Sequence, residues 1–80
     1  MKLLDIGFNN TVSLDKVVAV VSAEAAPMKR LREEAKREGR LIDATNGRKT
    51  RTIIITTSNH IILSGINPQT LAERMKTERL

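Results

Sequence analysis

Three consecutive isoleucines, Ile53 to Ile55, restrict the fold of this chain more than any other feature of its sequence. They lie in a β-branched stretch that predicts a strand over residues 48–57. Successive side chains of a strand point to opposite faces of its sheet, so this run is apolar on both faces. Such a strand has to be covered on both sides, either by helices or by a neighbouring subunit.

The length of the chain limits how such a core can be built. Its 80 residues predict one domain, residues 1–80, near the lower limit at which an apolar core outweighs chain entropy. The sequence has no cysteine for a disulfide, and His60 is its only histidine, so neither a disulfide nor a structural metal is expected. We therefore expect copies of the chain to associate.

Periodicity and turn residues divide the chain into strands and helices. Met28, Leu31 and Ala35 recur at helical spacing, and Asn67 with Pro68 has the pattern of a cap followed by a first helical turn. The predicted elements are strands 3–8, 16–21, 41–45, 48–57 and 60–66, a brief pairing at 11–12, a helix that starts near 24–27 and ends at Gly39, and a second helix after residue 67.

The order of these elements, β-β-α-β-β-β-α, predicts an α+β domain with a mainly antiparallel sheet and two helices. Ser58 and Asn59 predict a turn before the last strand. On the second helix, the predicted buried side carries Leu71, Ala72 and Met75.

Asn46 and Gly47 predict a hairpin between the strands 41–45 and 48–57, because a type I′ turn needs positive φ at both central positions. Arg48, Lys49 and Arg51 would then project from both faces of the outgoing strand. We interpret this basic tip as functional, since no acidic residue accompanies it after residue 43. The alternative is a cationic strand edge that only discourages sheet-to-sheet aggregation.

Positive charge is concentrated in one part of the chain. The formal net charge of the chain is +5. Residues 29–51 hold nine Lys or Arg and four Asp or Glu, so this segment alone has a net charge of nine minus four, or +5. This balance suits a nucleic acid or another anionic partner. We interpret the first helix as an ordinary solvated face, because Arg30 with Glu34 and Glu33 with Arg37 have i,i+4 spacing.

The residues that enzymes use are scattered along the chain. His60 has no serine or cysteine partner that its position predicts, the glycines form no phosphate-binding loop, and the carboxylates Asp5, Asp15 and Asp43 are isolated. We therefore predict a protein that is not an enzyme and needs no cofactor, metal or small-molecule substrate. No signal peptide or membrane span is expected either, so the predicted location is cytoplasmic, without a membrane partner.

The low aromatic content limits which kinds of nucleic acid this chain is expected to bind. Proteins that bind single strands on a sheet stack bases on aromatic side chains, and this chain has one Phe, no Tyr and no Trp. Binding of double-stranded DNA through its phosphates is the remaining expectation. Three phosphate contacts hold DNA weakly, since log K falls by roughly 0.9 per neutralised phosphate per decade of salt. Several associated copies would therefore have to bind one DNA.

Short motifs along the chain occur together in a known family. They are Ile6-Gly7-Phe8 with Asn10, Ser22 with Glu24, Ala26-Pro27 with Lys29-Arg30, Leu41-Ile42-Asp43-Ala44-Thr45, Gly47-Arg48-Lys49-Thr50-Arg51, and His60 with Ile62-Leu63-Ser64. From residue 3 to about residue 74, the chain resembles the bacterial extracellular-matrix regulators of the RemA family. The resemblance implies a DNA-binding transcriptional regulator of biofilm-matrix operons, and of osmoprotection genes in some members. It also implies a ring-shaped homo-oligomer with a basic rim on which DNA lies or wraps.

The resemblance also assigns roles to residues. Arg48 and Lys49 fall on paired DNA-contacting arginines of the family. Lys16 falls on a basic position linked to the ring or its DNA, and Arg51 matches the same motif as Arg48. Lys49 replaces an arginine, so it keeps a point charge but loses the planar fork that binds a phosphate or base with two hydrogen bonds. Asn46 stands where an aromatic is common, which predicts a tighter turn.

These observations together predict a nucleoid-associated homo-oligomer that binds double-stranded DNA through Arg48, Lys49, Arg51 and Lys16. An alternative is a small basic oligomer with a structural or RNA-binding role and no promoter-specific regulation.

Overall fold

The computed structural model describes residues 2–79; Met1 and Leu80, the ends of the predicted domain, lie outside the described residues. In chain order the elements are β1 (Leu3–Gly7), β2 (Asn10–Ser13), a 3₁₀ helix (Leu14–Lys16), β3 (Val17–Ser22), α1 (Met28–Arg37), β4 (Leu41–Asp43), β5 (Thr52–Thr56), β6 (Ile61–Ser64) and α2 (Pro68–Arg79). The α+β class is confirmed. The predicted brief pairing at 11–12 is a strand of its own, β2, so the order contains one strand more than predicted.

The strands form two sheets. β1 and β2 make an antiparallel hairpin, and the larger sheet has the strand order β3-β5-β6-β4. β5 is antiparallel to both of its neighbours, whereas β4 runs parallel to β6. The mainly antiparallel pairing is therefore confirmed, and β3 and β4 are the two edges of the larger sheet. The predicted turn before β6 is also confirmed, since β5 and β6 form a hairpin in which Asn59 has φ +66°.

The isoleucine run of β5 is covered on both faces, as predicted. Ile54 is fully buried in a cluster with Leu4 of β1 and Leu71 of α2. Ile53 is fully buried on the opposite face, in a cluster with Met28 and Ala35 of α1. The cover comes from the hairpin and helices of the same chain, so β5 by itself does not require a neighbouring subunit.

The end of α1 agrees with the prediction. Gly39 has φ +73° and donates its N–H to the carbonyl of Lys36 at 3.3 Å, while Arg40 donates to the carbonyl of Ala35 at 2.9 Å. These two hydrogen bonds form a Schellman motif, for which glycine is the favoured residue. The helix begins at Met28, slightly later than the predicted 24–27.

The start of α2 is also as predicted. The side-chain oxygen of Asn67 accepts a hydrogen bond from the N–H of Thr70 at 2.8 Å. Leu71 is buried and Met75 is half-buried, but Ala72 is exposed, so its predicted place on the buried side is wrong. Residues four apart share a helix face, whereas the next residue along is turned away by about 100°.

The predicted hairpin between β4 and β5 is wrong, because β6 lies between these two strands. Residues 44–51 instead form a connection that we call the crossover loop. The predicted turn is present within it: Asn46 and Gly47 have φ of +54° and +82°, and the N–H of Arg48 donates to the carbonyl of Thr45 at 3.1 Å. Residues 48–51 precede β5, so the predicted alternation of cations between two strand faces does not occur. A turn signal is local, whereas the burial of apolar faces chooses the strand partners.

Candidate nucleic-acid interface

Both ends of the crossover loop are hydrogen-bonded to the C-terminal end of β6. The N–H of Ala44 donates to the carbonyl of Leu63, and the N–H of Arg51 donates to the carbonyl of Ser64, each at 2.9 Å. The carbonyl of Arg51 in turn accepts from the N–H of Ala23, just after β3, at 3.0 Å. The loop therefore spans the end of β6 between two fixed points.

Asp43 holds the incoming side of the crossover loop. Its Oδ1 accepts hydrogen bonds from the hydroxyl of Thr45 at 2.6 Å and from the N–H of Thr45 at 2.9 Å. The hydrogen bond from the Thr45 hydroxyl is the larger cause, and the bond from the Thr45 N–H the next, of a pKa of Asp43 below its usual value. The positive charge of Arg32 lowers this pKa further. This carboxylate is therefore engaged in shaping the turn.

The exposed part of the crossover loop presents three cations, Arg48, Lys49 and Arg51. Among the side chains that the structure describes, the ion pairs join residue 38 with 40 and residue 5 with 74, and neither includes a cation of this loop. Their positive charges are therefore available to an anionic partner. The structure thus groups three of the four predicted DNA-binding residues.

The tip of the β1–β2 hairpin packs beside the crossover loop. Cζ of Arg48 lies 4.0 Å from the centroid of the Phe8 ring, and the side-chain nitrogen of Asn10 donates to the carbonyl of Ala44 at 3.4 Å. Sequence reasoning missed this neighbourhood because Phe8 and Arg48 lie far apart in the chain. The available signal was an aromatic residue between Gly7 and Asn9, in a turn where side chains are displayed.

A small cleft of about 180 Å³ lies between the crossover loop, the end of β3 and the start of α2. Lys49 and Arg51 line it, together with Glu24 and the capping residue Asn67. The N-terminus of a helix carries a partial positive charge, so α2 adds to the positive potential of this region. Glu24 is the acidic member of the lining and offsets part of it.

Lys16 lies away from the other predicted site residues. Its carbonyl accepts from the N–H of Thr57 at 2.8 Å, directly after β5, whereas Arg51 directly precedes that strand. At about 3.3 Å per residue, the six steps from Arg51 to Thr57 correspond to roughly 20 Å. Within one subunit, Lys16 therefore does not share a surface patch with the crossover loop.

The cations of α1 lie beside the edge strand β4. Lys29, Arg32 and Lys36 line an open groove of about 730 Å³, together with Leu41 and with acidic residues that include Glu33. The mixture of both signs of charge agrees with the interpretation of α1 as a solvated face.

His60 takes part in the β5–β6 turn. Its Nδ1 lies 2.7 Å from the hydroxyl oxygen of Ser58, and its N–H donates to the hydroxyl oxygen of Thr56 at 3.0 Å. Among the described side chains, those of residues 2–77, no group of three or more metal-binding residues occurs. No helix of the described part of the chain is both long and apolar enough to cross a membrane.

The fold and the loop define a small α+β protein with an exposed basic surface at one end of its larger sheet. The chain belongs to the RemA-like family, described as extracellular matrix regulatory protein A-like, whose model matches residues 3–75. The resemblance inferred from the sequence motifs is therefore confirmed.

Relatives from three genera agree with this assignment. A protein of Pseudothermotoga lettingae is 64% identical over 74 residues, which cover 92% of this chain and 81% of the relative. Proteins of Fervidobacterium nodosum and Thermotoga maritima are each 62% identical over 72 residues, which cover 90% of this chain and 77% and 78% of those relatives. All three are named "Putative regulatory protein".

Proposed function

We propose that this chain is a transcriptional regulator that binds double-stranded DNA through the crossover loop. The observation that carries the proposal is the grouping of Arg48, Lys49 and Arg51 on a loop that is hydrogen-bonded at both ends. No acidic side chain is paired with them in the described part of the chain, so a phosphate can bind without displacing an existing partner. Membership of a family of regulatory proteins supports the regulatory role.

The proposal includes association of several copies, because three phosphate contacts are too few for useful affinity at cellular salt. The larger sheet offers two free edges for such contacts. Val18 on β3 is 63% exposed and Ile42 on β4 is 46% exposed, and both are apolar. Contact between two different surfaces of identical subunits produces a ring when the rotation closes. A ring would place one crossover loop from each subunit along a common rim.

DNA on such a rim would be held through its phosphates and bent or wrapped. Sequence preference would then depend on how easily a DNA segment deforms more than on hydrogen bonds to base edges. The family description suggests genes of the extracellular matrix as targets. The protein would act at the nucleoid in the cytoplasm, and this role requires no catalytic activity.

The test compares two double variants that remove the same charge. Arg48→Ala with Lys49→Ala changes the crossover loop, and Lys29→Ala with Arg30→Ala changes the exposed start of α1. In gel-shift titrations across salt concentrations, we expect the loop variant to lose affinity. Its salt slope should fall by roughly 1.8 for each engaged subunit, since each lost phosphate contact removes about 0.9. The α1 variant should bind nearly as the unchanged protein does.

Equal losses of DNA affinity in both variants would show that only net charge matters. Retained affinity in the loop variant would exclude the crossover loop as the DNA-binding surface. The same assay should include duplex RNA and single-stranded DNA as competitors. Preference for duplex DNA is expected, because the surface offers cations and few aromatic side chains. Preference for RNA would favour the alternative of an RNA-binding oligomer. Light scattering of the protein with and without DNA would measure the number of associated copies.

A further inference from the structure

The backbone of Phe8 is unusual for its residue type. Phe8 has φ +55° in the turn between β1 and β2, where Gly7 and Asn9 have φ of +98° and +67°. Glycine and asparagine adopt positive φ readily, whereas a bulky aromatic residue in this region is an outlier. Asparagine at position 8 would adopt the backbone conformation of this turn with less strain. The turn therefore does not explain the aromatic side chain, which points to a role of the ring outside the turn.

The position of the ring indicates that role. Cζ of Arg48 lies over the ring, 4.0 Å from its centroid. A Cβ built on Gly65 would be 3.5 Å from both the ring of Phe8 and Cβ of Arg48, so the two side chains meet above Gly65. The contact lies at the surface, since 36% of Phe8 is exposed.

The hairpin tip that carries the ring is itself held firmly. A Cβ on Gly7 would approach Cγ1 of Ile66 to 2.9 Å, which is closer than real side chains pack. The side chain of Asn10 adds a hydrogen bond to the carbonyl of Ala44 at the start of the crossover loop. The backbone segment that carries the ring is therefore held next to the crossover loop.

A guanidinium on an aromatic face keeps its in-plane N–H groups free for an anion while it loses rotational freedom. An Arg that is already oriented gives up less entropy when a phosphate binds. Phe8 is the only Phe, Tyr or Trp of the chain, and the cation that lies over its ring is Arg48.

We propose that Phe8 is a positioning residue of the DNA-binding surface, whose ring orients Arg48 toward a DNA phosphate. This inference rests on the proposed function of the crossover loop and adds to it a side chain from another part of the fold. It also explains why a strained aromatic occupies the turn.

Three substitutions of Phe8 separate the ring from the turn. Phe8→Asn removes the ring and suits positive φ, Phe8→Leu keeps apolar bulk without a ring, and Phe8→Tyr keeps the ring. In fluorescence anisotropy titrations with duplex DNA at low salt, we expect Phe8→Asn and Phe8→Leu to bind roughly two- to fivefold more weakly per engaged site. Phe8→Tyr should bind as the unchanged protein does. The melting temperature of every variant is measured in parallel, and weaker binding at a temperature well below it would not reflect unfolding.

A double-mutant cycle tests whether Phe8 acts through Arg48. In an Arg48→Ala background, Phe8→Leu should cause no further loss of affinity. The NMR signals of the Arg48 side chain should be shifted upfield by the ring in the DNA-free protein and should return to ordinary values in Phe8→Leu. This second measurement reports on the contact without DNA.

The possible failures are distinguishable. If the unchanged protein does not bind duplex DNA, the proposed function is wrong and this inference is wrong with it. If the unchanged protein binds duplex DNA and Phe8→Leu binds equally well, DNA binding through the crossover loop remains possible and the positioning role of Phe8 is excluded. Additive losses in the cycle would also exclude it, because Phe8 would then contact DNA independently of Arg48.

Discussion

The two ends of β5 use arginine in opposite ways. At the end with the β5–β6 turn, Nε of Arg40 donates to the carboxylate of Glu38 at 2.7 Å, and Nη1 donates to the carbonyl of Asn59 at 3.1 Å. At the end with the crossover loop, Arg48 lies on the ring of Phe8, and within the described residues its guanidinium makes no hydrogen bond. The guanidinium of Arg40 is hydrogen-bonded to other parts of the chain, whereas the N–H donors of Arg48 are free within the described residues.

The difference teaches that a count of charges does not locate a binding surface. Both arginines belong to the basic segment 29–51, and both contribute equally to its net charge. Donors that are already bonded within the chain stabilise the fold, whereas oriented donors without a partner can bind a ligand.

The largest expected effect concerns the tip of the β1–β2 hairpin, which packs beside the crossover loop at one end of β5. Gly7→Ala forces alanine to φ +98° and brings its Cβ within 2.9 Å of Ile66. Gly39→Ala is the matched control, because Gly39 has φ +73° with open space around it. We expect Gly7→Ala to lower the free energy of unfolding by roughly 2–4 kcal/mol and Gly39→Ala by about 1–2 kcal/mol. Urea denaturation measures both. Equal losses would show that the hairpin tip is not tightly seated.

A smaller effect separates the two arginines directly. Arg40→Ala should lower the free energy of unfolding by about 0.5–1.5 kcal/mol, since it removes the hydrogen bonds to Glu38 and to the carbonyl of Asn59, and should leave DNA affinity unchanged. Arg48→Ala should do the reverse, with a change in stability within about 0.5 kcal/mol and a clear loss of affinity. Denaturation and anisotropy titrations on both variants provide the measurements. If the two variants lose DNA affinity equally, the contrast between the ends of β5 does not hold.

The smallest effect concerns acid stability at the base of the crossover loop. The hydrogen bonds from Thr45 lower the pKa of Asp43 in the folded state, so the ionised carboxylate favours folding above its ordinary pKa of 3.8. That contribution is lost as the pH falls through the lowered pKa. Asp43→Asn keeps an oxygen acceptor but does not titrate, so its stability should decline less in acid. Urea unfolding of both proteins between about pH 7 and pH 3 is the measurement, and parallel declines would contradict the assignment.

Sequence reasoning was right where the physical cause is local. The cap at Asn67 and the end of α1 at Gly39 each depend on residues within one turn of the helix. The turn at Asn46 and Gly47 was located correctly for the same reason. The two-sided cover of Ile53 to Ile55 followed from the alternation of side chains along a strand.

Sequence reasoning failed where two distant segments had to be matched. The order β3-β5-β6-β4 places β6 between the strands that the turn signal had paired. The contact between Phe8 and Arg48 joins two loops that no periodic pattern connects. The sequence made no prediction of where Lys16 lies relative to the crossover loop, because that depends on which end of β5 each segment meets.

The amino-acid sequence alone determined the α+β class, the family, the main helix ends and turns, and the segment that carries the positive charge, because each of these depends on composition or on residues close together in the chain. Only the tertiary structure decided which strands are neighbours, and hence which cations share a surface and which arginine is already bonded. Strand partners are chosen by the burial of apolar faces from the whole chain, and this burial is settled only when all the segments pack together.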